Sequence, residues 1–486
     1  MEATGLGEWS PESAEQVRAG GRGPGETDDD TRRWRFRLAE NARNRGTRRQ
    51  LWFGALVLLI LSAAANMASP LYPLLQEAHG MSESVMTALY ATYVFSCLPS
   101  LLLFGSAADA FGRKPVLLAA VGLVGFGTAI FGVETAGIAG LFAGRALVGI
   151  GLGLGTGAGI ALMVEASPAR RVWLGSTLAT ISFVLGSGLG PILAGVVSSL
   201  STSPLVLPFL VMTVLIAIVM VLIAMMPLQR PITRQRWRPT WPSVPGAMRT
   251  SFNIAALTGF IGWTALGLFL ALLPSMAQSI IPNSGTLTSG LIVGSVLVVS
   301  AASQLVAPKF QPRAAQTLGL TLMGVGAALL LGSNLPEISP SAVKIIMVFA
   351  AVATGVGHGL SYWGANREID VLTPPKNRAG ISAALYLAFY AGAGAPAVIV
   401  GVLALGMPLV IGTMIFTFAL LLATIVTIPV PSLSQTVIRQ SRAEHAVVTR
   451  DSETAPGVVG SERLDSGRDT AARDTGTASA EHPAAR

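Results

Sequence analysis

Along this chain, apolar runs of about 20 residues alternate with short polar interruptions. A helix needs about 20 apolar residues to cross a hydrocarbon core of about 30 Å, so each run predicts one membrane-spanning helix. The runs fall at 51–73, 84–104, 115–133, 137–163, 171–198 and 204–228. After an arginine-rich gap they resume at 251–275, 285–307, 314–333, 341–364, 379–404 and 407–430. The pattern predicts an all-α polytopic membrane protein with twelve transmembrane helices. Residues 1–50 mix acids with arginines and 431–486 are rich in Ser, Thr, Asp, Arg and Ala, so neither stretch has the apolar surface to order itself. The start is polar and the first apolar run is long enough to span, so no cleavable signal peptide is expected.

Charge orients the spans. One set of connections holds Arg113/Lys114, Arg170/Arg171, the arginines from 230 to 249, Lys309/Arg313 and Arg367/Lys376/Arg378. The alternate set holds Glu77, Glu83, Glu134 and Glu337, with Lys344 as its one basic residue. Basic loops stay in the cytoplasm, so both tails are expected there. Only 12% of residues are charged, against about 25% in soluble domains. The net charge of +8 sits in loops and tails without forming a stripe, which argues against nucleic acid as a partner. Cys97 is the single cysteine, so neither an intrachain disulfide nor a thiolate metal site is available. Four lysines among 33 basic residues, with abundant Ala and Gly, point to a high-GC bacterial genome and so to a bacterial cytoplasmic membrane.

The two groups of six runs, 51–228 and 251–430, match in length and flank a basic linker at 229–250. They also share punctuation. Gly125-Phe126-Gly127 answers Gly324-Val325-Gly326, the Gly149-x-Gly151-x-Gly153 run answers Gly355-x-Gly357-x-Gly359, and Gly190-Pro191 answers Ala395-Pro396. Parallel six-helix repeats are a transporter architecture. Three motifs carry a resemblance. Gly105-x-x-x-Asp109-x-x-Gly112-Arg113-Lys114 lies between helices 2 and 3, with Ala107 and Ala110 as departures from the family pattern. Leu141-x-x-x-Arg145-x-x-x-Gly149-x-Gly151 lies in helix 4, and Gly186-x-x-x-Gly190-Pro191-x-x-Ala194-Gly195 in helix 5. With these the chain resembles the major facilitator superfamily over roughly 51–430, and the helix-5 motif is similar to that of the drug/proton antiporter branch. The second-half counterpart of the first motif, Ala307–Arg313, lacks both its Asp and its Gly.

The resemblance implies roles for named residues. Asp109 is expected to meet the start of helix 11, near Ala379–Ser382, when the cytoplasmic side is closed. An anion at a helix N-terminus is favoured by about 0.3–1 kcal/mol, enough to bias a gate and weak enough to release it. Gly105, Gly112, Arg113, Lys114 and Glu165 complete that gate, with Arg113 paired to Glu165; the plainer alternative is a solvated turn that only sets topology. Arg145 lies inside helix 4, where an arginine costs about 2.5–3.5 kcal/mol to insert. It is expected either to face a cavity and handle substrate or protons, or to satisfy polar groups of neighbouring helices. His358, the one histidine within a span, joins Arg145 and Asn66 as a cavity or coupling candidate; hydrogen-bonded packing is its alternative. Gly186, Gly190, Pro191 and Gly195 serve as a hinge or simply let helices approach closely. Tyr90, Tyr93, Trp263, Trp363, Tyr386 and Tyr390 are possible substrate-lining rings, or ordinary core.

No Asp or Glu lies in the middle of helix 1, 4, 5, 7, 8, 10 or 11, which disfavours a cationic cargo; Arg145 tilts the expectation toward neutral or anionic amphipathic molecules. The resemblance implies a secondary transporter working by alternating access, with proton-driven export of a small organic molecule or drug as the first reading. Uptake of a sugar or organic acid, or a transport-inactive membrane sensor, are the alternatives. No phosphate-binding lysine loop, metal cluster or nucleophile–base pairing appears, so neither enzyme chemistry nor a cofactor is expected. The partners expected are the bilayer, a small-molecule substrate and protons, for a monomeric protein.

Overall fold

A computed structural model describes residues 48–104, 107–167, 172–226, 244–271, 285–335, 337–373 and 378–431. Twelve helices in it are long and apolar enough to cross a membrane. The first six are α1 (48–66), α2 (Glu83–Phe104), α3 (Arg113–Phe131), α4 (Gly137–Glu165), α5 (Val172–Ser199) and α6 (Leu207–Met225). The second six are α7 (Arg249–Ala271), α8 (Thr286–Val306), α9 (Pro312–Gly332), α10 (Pro340–Leu372), α11 (Arg378–Leu403) and α12 (Leu409–Thr427). Among the described residues there is no strand. Helices are the expected solution, because hydrocarbon offers no partner for backbone N–H and C=O groups. Below, the basic face is the one carrying Arg48, Arg113, Lys309 and Arg313, and the opposite face is the far face.

Helix ends depart from the apolar pattern in two informative places. α1 does not run on to 73: it breaks at Met67–Ala68, forms a 3-10 turn at Ser69–Leu71 and resumes as a short helix, Tyr72–His79. Pro70 and Pro73 carry no N–H for the carbonyls of Asn66 and Ser69, so a continuous helix would leave both unpaired. α10 runs two turns past 364, through Asn366, Arg367, Glu368 and Asp370. Between α2 and α3, a short helix (Ala107–Phe111) ends at Gly112, whose φ of 92° favours glycine. Gly105 lies outside the described residues, as do Arg170, Arg171 and Lys376 in the other basic loops.

Packing repeats between the halves. In the first half α3 and α2 pack on α4, and α3 on α6; in the second, α9 and α8 pack on α10, and α9 on α12. The glycine runs set this geometry. A Cβ at Gly149 or Gly153 would overlap the α2 carbonyls of Tyr93 or Cys97, while one at Gly151 would overlap Ala120 of α3. The second half copies the arrangement: Gly355 and Gly359 lie on Val296 and Ser300 of α8, and Gly357 on Gly319 of α9. Residues four apart share one helix face and the glycine between them turns to the other neighbour, so backbones touch on both sides.

The halves join through α5 on α8 and α2 on α11, two pairs that the six-helix repeat interchanges. Gly186 and Gly190 of α5 lie on the α1 carbonyls of Leu59 and Ala63. Gly188 and Gly195 face α8, and Gly290 and Gly294 of α8 return the contact to the carbonyls of Pro191 and Gly188. Toward the far face, Ser84 Oγ donates to the Gly401 carbonyl at 3.5 Å and Ser69 Oγ to the Leu270 carbonyl. A Cβ at Gly401 would sit 3.1 Å from Thr87 Cβ, a few tenths of an ångström inside the roughly 3.5–4.5 Å that a disulfide spans, so a small shift brings the pair into range. A Thr87→Cys/Gly401→Cys pair is therefore expected to crosslink on oxidation. Adding Gly290→Leu and Gly294→Leu should lower the yield about tenfold, since overpacking costs about 1–3 kcal/mol and holds the far face apart; gel mobility after oxidation measures it.

Candidate functional site

On the basic face, Arg113 begins α3 and reaches both neighbouring acids. Its Nη2 lies 2.6 Å from Asp109 Oδ1 and 2.5 Å from Glu165 Oε1, at the end of α4. Asp109 thus pairs within its own turn, four residues before Arg113; the side chains of 378 and 379, at the head of α11, lie outside the described residues. Both carboxylates are about half exposed (45% and 55%), so the pairing is weakly held. Lys114 plays a different part. Its Nζ donates to the carbonyls of Ala224 (2.6 Å) and Met226 (3.1 Å), capping the C-terminus of α6.

The second half carries a counterpart that its degenerate motif conceals. Arg313, one residue into α9, donates through Nε (3.0 Å) and Nη2 (2.8 Å) to Glu368 Oε1 in the last turns of α10. Gln316 Nε2 donates to the other carboxylate oxygen at 2.7 Å, and Arg313 Nη2 also donates to Ser251 Oγ of α7 at 3.0 Å. This pair is buried, with 8% and 7% of the side chains exposed. Burial of Glu368 explains why α10 continues past the apolar run. The usable sequence signal was an arginine at the head of helix 9 and a glutamate near the end of helix 10, the positions of Arg113 and Glu165 in the first half.

Arg145 is buried near the break in α1. Its Nη1 donates to the Ala65 carbonyl at 2.7 Å, one of the acceptors the break sets free, and its Nη2 to the Tyr72 hydroxyl at 2.5 Å. The guanidinium carbon stands 5.4, 5.6 and 5.2 Å from the rings of Tyr72, Tyr93 and Phe131. Cation–π attraction and a freed carbonyl thus stand in for a carboxylate. Arg145 caps a helix end and packs against rings, with 2% of its surface exposed, so in this state it does not face an open cavity. Tyr90 and Tyr93 lie edge to face with hydroxyls 3.4 Å apart, and Tyr72, absent from the sequence candidates, touches Tyr90 edge-on. Asn66 Nδ2 donates to the Ser62 carbonyl while its Oδ1 is buried without a partner.

At mid-depth an aromatic seam crosses between the halves. Phe183 of α5 meets Trp263 of α7 at 5.9 Å and Tyr390 of α11 at 6.2 Å between ring centroids. Thr156 Oγ1 of α4 lies 3.4 Å from the Tyr390 hydroxyl. Trp263 is edge-on to His358 (5.0 Å) and to Tyr362 (5.6 Å), and the last two stack at 5.3 Å. Phe389 links Tyr362 to Tyr386. His358 Nδ1 is engaged by Ser300 Oγ at 2.7 Å, whereas His358 Nε2 and Trp263 Nε1 are buried with no hydrogen-bond partner. Tyr362, next to Trp363 in sequence, is the ring that joins the seam. Trp363 instead packs with Ala307, Ala315 and Leu360 at the α8–α9 side of α10. Gly186, Gly190 and Pro191 line the contacts of α5 with α1 and α8, and Gly195 that with α8 alone. Among the described residues no group of three or more His, Cys, Asp or Glu side chains is placed to hold a metal ion.

The two ion pairs should differ in weight. Removing one partner of a buried pair costs about 3–5 kcal/mol, against about 0–1 kcal/mol for an exposed pair. Glu368→Gln is therefore expected to lower the melting temperature of the detergent-solubilised protein several times more than Glu165→Gln, measured by intrinsic fluorescence on heating.

Residues 54–397 match the family model described as Major Facilitator Superfamily. A search of curated proteins finds no match.

Proposed function

Because the chain belongs to the Major Facilitator Superfamily, and so is a membrane transporter, we propose that it exports a small neutral or anionic amphipathic organic molecule in exchange for protons by alternating access. In this reading it is a monomer in a bacterial cytoplasmic membrane, with both tails and the basic face in the cytoplasm. The observation that carries it is the seam between the halves. There, aromatic surface surrounds the unpartnered His358 Nε2 and Trp263 Nε1 at mid-depth. Rings suit an amphipathic body, and the indole N–H and imidazole nitrogen suit an uncharged or electron-rich polar group. Every cross-half contact named above lies at mid-depth or toward the far face, which favours a state closed to the outside.

The helix-5 glycines support export, through the resemblance to drug antiporters. The gate is assigned to Asp109, Arg113 and Glu165, whose half-exposed ion pairs are weak enough to exchange partners as the basic side opens and closes. When the basic side closes, Asp109 exchanges Arg113 for the first turn of α11, and Gly112, with its positive φ, shapes the turn that allows it. Arg145 holds Tyr72 and Tyr93 in place within the first half, and His358 holds Trp263 and Tyr362 in place on the second-half side of the seam.

Everted vesicles with an acid interior test this directly. A panel of radiolabelled neutral, anionic and cationic amphiphiles is expected to show accumulation of neutral or anionic members, collapsing when a protonophore removes the gradient. Asp109→Asn should slow it about two- to tenfold, the effect of losing about 0.5–1.4 kcal/mol from the closed latch. Accumulation only in right-side-out vesicles would establish uptake instead. No movement of any panel member, with Asp109→Asn and Arg145→Ala indistinguishable from wild type, would favour a transport-inactive sensor.

A further inference from the structure

Apart from the buried Arg145, Lys344 is the only Lys or Arg among the described residues in the half of the spans nearest the far face. It is exposed one turn into α10, and no carboxylate pairs with it among the described residues. Its side chain borders a groove of about 280 Å³ between α8 and α10, walled by Ile292, Val296 and Val299 on one side and Met347 and Ala351 on the other. The one hydroxyl in the groove, that of Ser295, is turned back to the Ile292 carbonyl of its own helix at 2.9 Å. The groove is therefore apolar along its length and cationic at one end. From Lys344 to Val352 it follows α10 for about 12 Å at about 1.5 Å per residue. Its volume is several times the ~30 Å³ that one water occupies in the liquid, yet its walls offer water nothing to bind.

We propose that this groove is a binding site for one phospholipid with an anionic headgroup, in the leaflet at the far face. The headgroup phosphate meets Lys344, and one acyl chain lies between α8 and α10. Both parts follow from chemistry on the surface. A lysine one turn from a helix end extends its ammonium group to the headgroup level while its methylenes stay in the apolar zone. A single lysine favours an anionic over a zwitterionic headgroup by about fivefold. Isoleucine, valine and methionine walls match an alkyl chain and leave no polar group unpaired. The inference does not depend on substrate, coupling ion or direction of transport.

The test uses the full chain carrying Cys97→Ala and Leu291→Cys, the latter an exposed position of α8 close to the groove, labelled with a fluorophore and reconstituted in phosphatidylcholine vesicles. Brominated phosphatidylglycerol and brominated phosphatidylcholine are titrated as quenchers. Half-quenching is expected at about fivefold less phosphatidylglycerol than phosphatidylcholine. Lys344→Gln should abolish that preference, Lys344→Arg should keep it, and Val299→Trp, which fills the groove, should weaken quenching by both lipids. Equal half-points for the two lipids in the parent protein, or a preference that survives Lys344→Gln, overturn the proposal. Inorganic phosphate at the same concentration is expected to leave the titration unchanged; full competition by it would make the site one for a free anion and overturn the lipid.

Discussion

The contact of α5 with α8, backbone against backbone, sets the terms for the rest of the molecule. In hydrocarbon there is no hydrophobic force to press helices together, so two bundles hold each other only by close packing and hydrogen bonds. Gly188 and Gly195 on one side and Gly290 and Gly294 on the other remove the side chains that would keep the backbones apart. The same device inside each half, at Gly149–Gly153 and Gly355–Gly359, ties each bundle to its own neighbours. A protein built this way joins its two halves through many small contacts, no one of which carries the interface alone.

Charge is used differently in the two halves. The first half exposes its arginine pair, so Arg113, Asp109 and Glu165 gain little from one another and can exchange partners cheaply. The second half buries Arg313 with Glu368, Gln316 and Ser251, an arrangement that cannot be opened without leaving a charge unpaired. One end of the pseudo-symmetric frame is thus weakly paired and the other is firmly anchored. Arg145 shows a third use: it donates to the Ala65 carbonyl that the break in α1 leaves free and to the Tyr72 hydroxyl just beyond it, so a side chain from one helix braces the break in another.

Much of this was legible in the sequence. Apolar runs fix the twelve spans because crossing hydrocarbon demands length, and the glycines mark where helices can approach closely, while which neighbour each one meets came from the fold. The pairing of Arg113 with Glu165 could be read from positions at matching helix ends. Other features could not. In a span that is apolar all round, periodicity does not say which face looks inward, so Trp363 stands among the candidate lining rings and its neighbour Tyr362, which joins the seam, does not. The extension of α10 was hidden because its last turns are polar, and polar residues in a helix read as loop unless their partners, here Arg313 and Gln316, are known. The break in α1 was within reach, since two prolines three residues apart announce it, but its consequence for Arg145 required the fold.

The central claim is that the halves rock about the α5–α8 and α2–α11 contacts, closing one face as the other opens. Spin labels at Val133 and Leu335, exposed on the far face of the two halves, and at Phe111 and Phe310, exposed on the basic face, report both ends. Pulsed electron–electron distance measurements in nanodiscs at high and low pH are expected to show reciprocal change, the far-face distance lengthening as the basic-face distance shortens. Distances that stay fixed at both faces, or that lengthen together, contradict it.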